Sequence, residues 1–323
     1  GSPKVVAYHR KAINVENFSL NPVRTAEEAH PKRSNIVNCV DEDVKVELGK
    51  STPEAGLASY QALECAVKNL QQGKINALVT GPINKDNIAE AGFSFPGHTE
   101  YLADKFGVKD YLMLLVSEKL RVGTVMGHVP IKDVARLMTK ELIVSKLKVF
   151  NDSLRNDFSI RKPRIAVLSL NPHCGDGGVI GNEETEIIIP AIEEARKQKI
   201  MALGPFAADG LFGSDNYARF DGILAMYHDQ GLAPFKALAF DSGVNFTAGL
   251  PVVRTSPAHG TAYELVGTGN ASDESFRNAL YLAIDIYKNR SENAEMRKHA
   301  LREQGRSKDL MGDDDDVVLD END

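Results

Sequence analysis

Apolar runs of strand length alternate along this chain with segments of helical periodicity. Six runs rich in Val, Leu, Ile and Ala lie at residues 75–80, 111–116, 122–126, 164–170, 201–206 and 222–226. Runs of this length and composition are typical of buried β-strands. Because buried strands that alternate with amphipathic helices form layered sheets, this order predicts an α/β fold.

Two of the intervening segments carry a clear helical pattern. Their apolar residues recur at intervals of three and four positions: Ile143, Leu147, Phe150 and Leu154 in one segment, and Phe276, Leu280, Ile284 and Tyr287 in the other. This spacing puts the residues on one side of a helix, so both segments are predicted to be helices. No internal repeat or low-complexity linker divides the body of the chain, so any two domains must interleave or be joined by ordered crossings.

Composition limits the class of protein. The chain has 323 residues, of which 42% are hydrophobic, enough to bury a substantial core. No run approaches the roughly 20 apolar residues of a membrane helix, and the start GSPKVVAYHR lacks the apolar segment of a secretory signal. Cys39, Cys65 and Cys174 are odd in number and widely spaced, which favours free thiols in a reducing compartment. These features predict a cytoplasmic protein without membrane contact.

The net charge of −7 has a local origin near the end of the chain. Seven of the 45 acidic residues lie between Asp313 and Asp323, and the remaining acidic residues equal the 38 Lys and Arg in number. The body is therefore balanced, and it lacks the basic stripe expected of a nucleic-acid binder. Residues 306–323 are predicted to form a solvated acidic tail.

The stretch from residue 221 to residue 265 is the most informative for function. An apolar run ends there in His228 and Asp229, and a polar cluster of Lys236, Asn245 and Arg254 follows. Ligands of open α/β sheets bind at the carboxyl ends of strands, so a functional site is expected here. A cation, an amide and a guanidinium can together bind a small dianion, although each is also common on an ordinary surface.

Two further histidines share the setting of His228. His128 in MGHVP and His173 in LNPHCGD also follow apolar runs and lie close to Gly or Pro. Three imidazoles at strand ends can bind a divalent metal that polarises a substrate oxygen. The alternative is a set of unrelated loop histidines, because the separations match no compact ligand motif.

The segment FPGHTEYL is a second candidate for ligand binding. His98 and Thr99 stand at the start of a predicted helix, where free N–H groups and the positive end of the helix dipole favour a phosphate or carboxylate. The alternative is that Thr99 caps an ordinary helix. Asp209 in FAADGLF and Asp229 are candidates for orienting a ligand or carrying a proton, and turn formation beside glycine explains both residue types equally well.

The glycine-rich segments do not support a Rossmann cofactor site. NPHCGDGGVIGNEE follows a strand and precedes a helix, but Ile180 stands where the dinucleotide fingerprint requires its third glycine. The segment GTGNAS near Gly267 fails at the corresponding position.

Six ordered blocks resemble one known family. They are TGPINKDNI, FPGHTEYLAD, LSLNPHCGDGG, GPFAADGLF, MYHDQGLAPFK and GVNFTAGLPVVRTSPAHGTAYE, and they lie between residues 74 and 290. Together they resemble the 4-hydroxythreonine-4-phosphate dehydrogenase family. The resemblance implies an isocitrate/isopropylmalate-dehydrogenase-like fold with two α/β domains and a cleft between them, a homodimer, and a role in pyridoxal phosphate synthesis.

The reaction that the resemblance implies is an oxidation that depends on NAD. It converts 4-phosphooxy-L-threonine to 2-amino-3-oxo-4-phosphooxybutanoate, and decarboxylation then gives 3-amino-2-oxopropyl phosphate. The family's divalent metal, which is zinc, cobalt or magnesium, falls on His128, His173 and His228, contributed across the dimer interface. Asp209 and Lys236 are the matching candidates for proton transfer.

The resemblance also implies where substrate and cofactor bind. The substrate contacts of the family fall on His98, Thr99, Lys236, Asn245 and Arg254. The loop that resembles the adenosine side of the cofactor site consists of His259, Gly260, Thr261 and Ala262.

The domain boundaries follow from the same resemblance. Residues 1–97 together with 246–305 are expected to form a first α/β domain, and residues 98–245 a second one that carries the dimer interface. No GDPxGxG-like segment stands ahead of GSPKVVAYHR, so the first domain is expected to lack its N-terminal strand. Three rival functions stay open: a dehydrogenase of another phosphorylated four-carbon hydroxy acid, a catalytically silent phosphate-ligand binding protein, and a three-His zinc hydrolase.

Overall fold

The computed structural model describes residues 1–41 and 43–299 of the protein. The strands are β1 (Asn21–Val23), β2 (Asn35–Val37), β3 (Ala77–Val79), β4 (Leu112–Val116), β5 (Arg121–Thr124), β6 (Arg164–Leu168), β7 (Met201–Phe206), β8 (Gly222–Ala225), β9 (Val244–Ala248) and β10 (Val253–Pro257). The α-helices are α1 (Pro3–Ala12), α2 (Pro53–Gln71), α3 (Lys85–Glu90), α4 (His98–Lys105), α5 (Ile131–Leu137), α6 (Lys140–Asn156), α7 (Ile189–Lys197), α8 (Ala208–Gly213), α9 (His228–Ala239) and α10 (Glu274–His299). The acidic tail predicted over residues 306–323 lies outside the described residues.

Eight strands form one continuous sheet in the order β3-β10-β9-β4-β5-β8-β6-β7, and β1 and β2 form a small parallel pair apart from it. The last four strands in this order are mutually parallel, whereas β4 and β9 pair antiparallel with their neighbours. Four parallel strands with helices between them confirm the predicted α/β class. All six strands predicted from the apolar runs are present, and most are one to three residues shorter than the runs.

Helices cover both faces of the large sheet. One face packs against α6, α7 and α10 in the largest apolar cluster, which contains Leu114, Phe150 and Phe246. The other face carries two smaller clusters, one with α8 and α9 and the other with α2, α3 and α4. The sheet is therefore a middle layer, as expected when both of its faces must be removed from water.

Local sequence signals explain where several helices begin. The hydroxyl of Thr139 accepts from the backbone N–H of Leu142 at 3.1 Å at the start of α6, and Thr52 accepts from Ala55 at 3.2 Å before Pro53 in α2. Each hydroxyl satisfies an N–H group that the helix leaves unpaired. Among the helices of residues 1–41 and 43–299, none has both the length and the apolar character needed to cross a membrane.

The two helices predicted from apolar periodicity are both present, but they use their apolar stripes differently. Ile143, Leu147, Phe150 and Leu154 of α6 are fully buried. In α10 the stripe of Phe276, Leu280, Ile284 and Tyr287 is 40–44% exposed, and the helix instead buries Ser275, Ala279, Ala283 and Ile286. Small residues let the backbone of α10 approach the sheet closely, so the spacing identified the helix but not the side that packs.

Candidate functional site

Four neighbouring parallel strands end at the same edge of the sheet. These strands are β5, β8, β6 and β7, and the residues that follow them include His128, His228, His173 and Asp209 in that order. Adjacent strands are about 4.8 Å apart, so β5 and β7 are separated by about 14 Å. The four predicted residues therefore share one edge of the sheet, and His128 and His228 leave from adjacent strands.

His128 and His228 lie side by side. Their ring centroids are 6.0 Å apart, and each Nδ1 faces a carboxylate oxygen, that of Glu100 at 3.4 Å and that of Asp229 at 2.6 Å. The side chain of Gln230 ties β8 to β6 behind them, because it accepts from the Met226 N–H at 2.8 Å and donates to the Ser169 carbonyl at 2.6 Å. The position of His228 at the start of α9 is thus held by both strands.

His173 lies in a turn of unusual backbone conformation. Residues 173–178 all have positive φ, including the non-glycine residues His173 and Cys174 at 53° and 54°. The buried carboxylate of Glu184 holds the entrance of this turn, since it accepts from the backbone N–H groups of Leu170 and Asn171, both at 2.8 Å. Strain that the surrounding structure maintains in this way is common at functional sites.

A single copy of the chain does not gather the three histidines around one point. Within residues 1–41 and 43–299, no group of three or more His, Cys, Asp or Glu side chains is arranged to hold a metal ion. His173 leaves from β6, two strands away from β5, which explains its separation from His128. In this arrangement the described residues of one chain therefore do not form a three-histidine cluster.

A row of polar side chains crosses the sheet near this edge. Met113 of β4 pairs with Thr247 of β9, and Thr124 of β5 and Arg254 of β10 continue the row on either side by the register of the flanking pairs. Residues opposite one another on antiparallel strands point to the same face. Arg254, Thr247 and Thr124 are 3%, 0% and 4% exposed, so three polar groups are buried in one row.

Arg254 is a buried cation without a carboxylate partner among the described residues. Its Nε and Nη2 donate to the Thr80 hydroxyl at 3.1 and 2.8 Å. Burial lowers the pKa of its guanidinium to about 10, while the charge of Glu100 acts in the opposite direction. Because an unpaired buried charge is unfavourable, a guanidinium in this state is suited to an anionic ligand.

The start of α4 adds two of the predicted residues to the same region. Burial lowers the pKa of His98 to about 3, and the positive charge of Arg254 acts in the same direction. The hydroxyl of Thr99 pairs with that of Thr247 at 3.1 Å, and no side chain caps the helix at Gly97. Thr99 is therefore not an ordinary helix cap, and its hydroxyl joins the start of α4 to the polar row.

Unpaired polar atoms concentrate in this region. The described part of the chain has four buried side-chain polar atoms without a partner, and three of them are Glu100 Oε2, Thr124 Oγ1 and Asn245 Oδ1. Glu100 and Thr124 line a cavity of about 430 Å³ together with Thr99 and His128. Buried polar groups are nearly always paired in native proteins, so this concentration marks a place for a ligand or ordered water.

The remaining predicted residues lie at different distances from this cavity. Asn245 is on the same face of β9 as Thr247, two positions further from the edge. Lys236 is exposed in the second half of α9, and Asp209 is exposed in the first turn of α8 after the outermost strand, β7. The single chain therefore brings together His98, Thr99, Arg254, His128 and His228, and it leaves Asp209, Lys236 and His173 further out.

The loop predicted to bind the cofactor follows β10 and leaves from the opposite edge of the sheet. His259 Nδ1 is 2.8 Å from the Gly260 carbonyl oxygen, and Ala262 adopts a left-handed conformation with φ of 47°. Nothing lies within 4 Å of the position that a side chain at Gly260 would occupy. The backbone of this loop is thus open to a ligand.

Several residues of this region were not predicted from the sequence. Thr80, Glu100, Thr124 and Thr247 carry no motif spacing that distinguishes them from ordinary polar residues. Three of them lie inside quoted blocks, Thr80 in TGPINKDNI, Glu100 in FPGHTEYLAD and Thr247 in GVNFTAGLPVVRTSPAHGTAYE, and position within a block was the only available signal.

These features define an α/β protein with a histidine-containing polar site, suited in its charge to an anion, at the carboxyl ends of its parallel strands. The family model "Pyridoxal phosphate biosynthetic protein PdxA" matches residues 1–283. The chain is 55% identical over 322 residues to a 4-hydroxythreonine-4-phosphate dehydrogenase of Bacteroides thetaiotaomicron, with 99% of this chain and 87% of the relative covered. The chain belongs to the PdxA family, which confirms the resemblance seen in its six sequence blocks.

Solved structures agree with this assignment. A 4-hydroxythreonine-4-phosphate dehydrogenase from Klebsiella pneumoniae superposes with a TM-score of 0.78 at 32% identity, covering 89% of this chain and 87% of that one. A terephthalate 1,2-cis-dihydrodiol dehydrogenase from Burkholderia xenovorans LB400 superposes with a TM-score of 0.61 at 22% identity, covering 88% of each chain. The second similarity concerns the fold alone.

Proposed function

We propose that this chain is an NAD-dependent, metal-requiring dehydrogenase of 4-phosphooxy-L-threonine. The substrate would be oxidised to 2-amino-3-oxo-4-phosphooxybutanoate, and loss of carbon dioxide would give 3-amino-2-oxopropyl phosphate for pyridoxal phosphate synthesis. The observation that carries the proposal is the buried guanidinium of Arg254, which no described carboxylate pairs and whose pKa responds to Glu100, the residue 3.4 Å from His128 Nδ1. The names of the relatives that cover nearly the whole chain support the same reaction.

The chemistry of the histidine pair fits a divalent metal. A carboxylate at Nδ1 of both His128 and His228 orients each ring and leaves its Nε2 for a metal, as in many metal sites. A metal held there would supply Lewis acidity, which lowers the pKa of the substrate hydroxyl and stabilises the enolate that decarboxylation forms. Imidazole ligands favour zinc or cobalt over magnesium.

Binding of the substrate's anionic groups falls to the polar row and the start of α4. Arg254, neutral His98 and the Thr99 hydroxyl would donate to the phosphate or the carboxylate, with Asn245 and Lys236 adding contacts when the site closes. Because Arg254 is buried, its interaction with the ligand is weakly screened by water. These residues would thus anchor the substrate while its hydroxyl lies beside the histidines.

Oxidation requires that the hydroxyl lose a proton and its carbon lose a hydride. The hydride would pass to the nicotinamide, and the proton to a nearby base, for which Lys236 and Asp209 are the two candidates. In the second step the carboxylate would leave as carbon dioxide, and the carbon that it leaves would take up a proton. The open loop of His259, Gly260, Thr261 and Ala262 would hold the adenosine side of NAD.

The reaction can be tested by NADH absorbance. Metal-loaded protein mixed with NAD and 4-phosphooxy-L-threonine should produce NADH, and a His173→Ala variant should produce almost none. Phosphate release without NADH formation would instead indicate hydrolysis. Binding of the substrate to metal-loaded protein without any turnover would favour a phosphate-ligand binding protein and contradict the proposal.

We further propose that the active form is a homodimer whose metal site combines His128 and His228 of one chain with His173 of the other. This arrangement is supported by the fact that residues 1–41 and 43–299 bring His128 and His228 together and contain no cluster of three metal-binding side chains. Large exposed apolar side chains close to the histidine segments also support it, since Ile131 is 71% and Val179 83% exposed. Apolar residues in such a setting commonly belong to an interface.

Mixed dimers test the shared site. After His128→Ala and His173→Ala proteins are unfolded and refolded together, about a quarter of the wild-type activity should return, because half of the dimers are mixed and each holds one intact site. The pair His128→Ala and His228→Ala should regain nothing, because both changes affect the same site. Recovery by the second pair and not by the first would overturn the proposed division of ligands.

A further inference from the structure

Glu100 carries a buried carboxylate oxygen with no hydrogen-bond partner. The residue lies in the first turn of α4, where its Oε1 is 3.4 Å from His128 Nδ1. Its Oε2 is closed to water and receives no hydrogen bond from any of residues 1–41 and 43–299. An unpaired carboxylate oxygen is unfavourable in this setting, so a ligand that enters the adjoining cavity and donates to the Glu100 carboxylate would stabilise the site.

The cavity beside Glu100 offers no ammonium or guanidinium that is directed at it. In the described lining of this cavity, of about 430 Å³, Glu100 is the one carboxylate and Lys146 the one ammonium. Lys146 donates to the Tyr111 carbonyl at 2.6 Å, and its Nζ also lies 5.0 Å from the centre of the Tyr111 ring. Lys146 is therefore engaged elsewhere, and the negative position at Glu100 is available to a cationic group from a ligand.

The substrate of the proposed reaction has one such group. Its α-ammonium is attached to the carbon next to the one that bears the reacting hydroxyl, so a residue that binds the ammonium must adjoin those that hold the hydroxyl. Glu100 meets this condition, because one of its oxygens contacts His128 and the other is unpaired. Arg254 on the same sheet face repels an ammonium and attracts the phosphate or carboxylate.

We propose that Glu100 binds the α-ammonium group of the substrate and thereby makes the site select a phosphorylated α-amino acid over the otherwise matched α-hydroxy acid. This inference rests on the proposed function and sharpens its substrate class. A hydroxyl in place of the ammonium can donate one hydrogen bond but brings no positive charge to the partly buried carboxylate, whose nearest cations, Lys85 and Arg254, act on it without a hydrogen bond. Selection therefore arises from charge as well as from shape.

Glu100 also orients His128, and this second role must be separated from recognition. A defect that acts through His128 weakens metal binding, and it affects every substrate with the same hydroxyl and phosphate alike. A defect in recognition affects the amino compound alone. The ratio between two substrates that differ only at this position therefore isolates the proposed role.

The experiment compares 4-phosphooxy-L-threonine with 2,3-dihydroxy-4-phosphooxybutanoate of matching configuration, at saturating metal. For each compound, kcat/KM is measured with NAD, and Kd is measured by calorimetry without NAD. The variants are Glu100→Gln, which keeps shape and removes charge, and Glu100→Asp, which keeps the charge on a shorter side chain. Glu90→Gln, an exposed position at the end of α3, is the matched control.

The wild type should prefer the amino compound, and Glu100→Gln should reduce that preference by roughly 100-fold, the effect of losing one charge-assisted hydrogen bond in a buried site. Glu100→Asp should retain part of the preference, and Glu90→Gln should retain all of it. An equal loss on both compounds in Glu100→Gln would overturn the proposal and leave Glu100 as a positioning residue for His128.

Failure of the proposed function would look different from failure of this inference. If the proposed function is wrong, the wild type would form no NADH with either compound. The ratio of the two Kd values would still report on Glu100, because it does not require turnover. A wild-type protein that binds the hydroxy compound as tightly as the amino compound would overturn the inference even if both compounds were oxidised.

Discussion

The two faces of the large sheet differ sharply although the same strands build both. On one face Thr255, Phe246, Leu114 and Leu224 form a row across β10, β9, β4 and β8, and all four are fully buried against α6, α7 and α10. Gly123 of β5 lies in this row, where a side chain would come within 2.9 Å of Leu114. One residue along each strand, the other face carries Arg254, Thr247 and Thr124.

The difference shows that one face of the sheet contributes mainly to stability, whereas the other carries the polar groups available for chemistry. The apolar row is filled by neighbouring side chains, so its contribution is packing. The polar row keeps unpaired groups and an unneutralised guanidinium, both of which oppose folding until a ligand binds. Side chains alternate between the two faces along a strand. Neighbouring residues in the sequence therefore contribute to core packing on one face and to the polar site on the other.

The largest expected effect follows replacement of Arg254 by methionine. Loss of the buried guanidinium should lower kcat/KM by about 10³-fold, equivalent to about 4 kcal/mol, because the substrate's anion would then be buried without its partner. Urea unfolding of the substrate-free protein should give a stability equal to or above that of the wild type, since an unpaired buried charge is removed. Arg155→Met, an exposed position in the last turn of α6, is the control and should change neither quantity. A marked fall in stability of Arg254→Met would contradict the assigned role.

Replacement of Phe246 tests the opposite face. Phe246→Ala should lower the free energy of unfolding by about 3–5 kcal/mol, the usual effect of a large cavity in a packed core. The KM for the substrate should stay within about twofold of the wild type in the protein that remains folded. Phe246→Leu, a milder change, should lose less stability with the same KM. A variant that stayed fully stable and lost activity would show that the two faces are not separate in function.

The shielding of the half-buried His98 from water predicts a dependence of stability on pH. Its pKa is about 3 in the folded chain against an ordinary value of 6.5, so the unfolded chain takes up a proton at a pH where the folded chain does not. The contribution of His98 is therefore full above pH 6.5 and decreases as the pH falls towards 3, by at most about 1.4 kcal/mol per pH unit.

A His98→Gln variant measures this contribution. Urea unfolding at pH 7 and pH 5 should show that the variant loses less stability on acidification than the wild type does, by up to about 2 kcal/mol. His299→Gln, at an exposed position in the last turn of α10, should behave like the wild type. Parallel losses in wild type and His98→Gln would mean that His98 is protonated normally.

The smallest expected effects come from two buried threonines that point to opposite faces. Thr255→Val removes the hydrogen bond from the Thr255 hydroxyl to the Ala279 carbonyl, 2.8 Å long, and should destabilise the fold by about 1 kcal/mol with unchanged KM. Thr247→Val removes the contact with Thr99 and should raise KM several-fold. If both changes affected KM equally, the proposed distinction between the faces would be wrong at these positions.

Several parts of the fold and site could be predicted from the sequence because they depend on local patterns. Buried strands require apolar runs, so all six runs became strands. The apolar runs before His128, His173 and His228 indicated three strand ends, and whether these histidines share one metal stays a prediction. The six blocks placed the chain in its family before any contact was known.

Other parts could not be predicted, because they depend on which neighbour a residue meets. The spacing in α10 identified a helix. Its small residues, such as Ala279 and Ala283, pack against the sheet, whereas Phe276 stays exposed. Glu100 had no signal of its own beyond its block, because an unpaired oxygen is a property of the surroundings. The predicted two domains, the site residues and the cofactor loop stay predictions.

The amino-acid sequence alone determined the α/β class, the strands, the family and the kinds of side chain available for chemistry, since these follow from composition, period and ordered blocks. Only the tertiary structure decided that Arg254 is buried without a carboxylate partner, that His128 and His228 are adjacent, and that His173 stands apart. The physical reason is strand register. The register sets which side chains of β10, β9, β4 and β5 lie beside one another, and these contacts join residues far apart in the sequence.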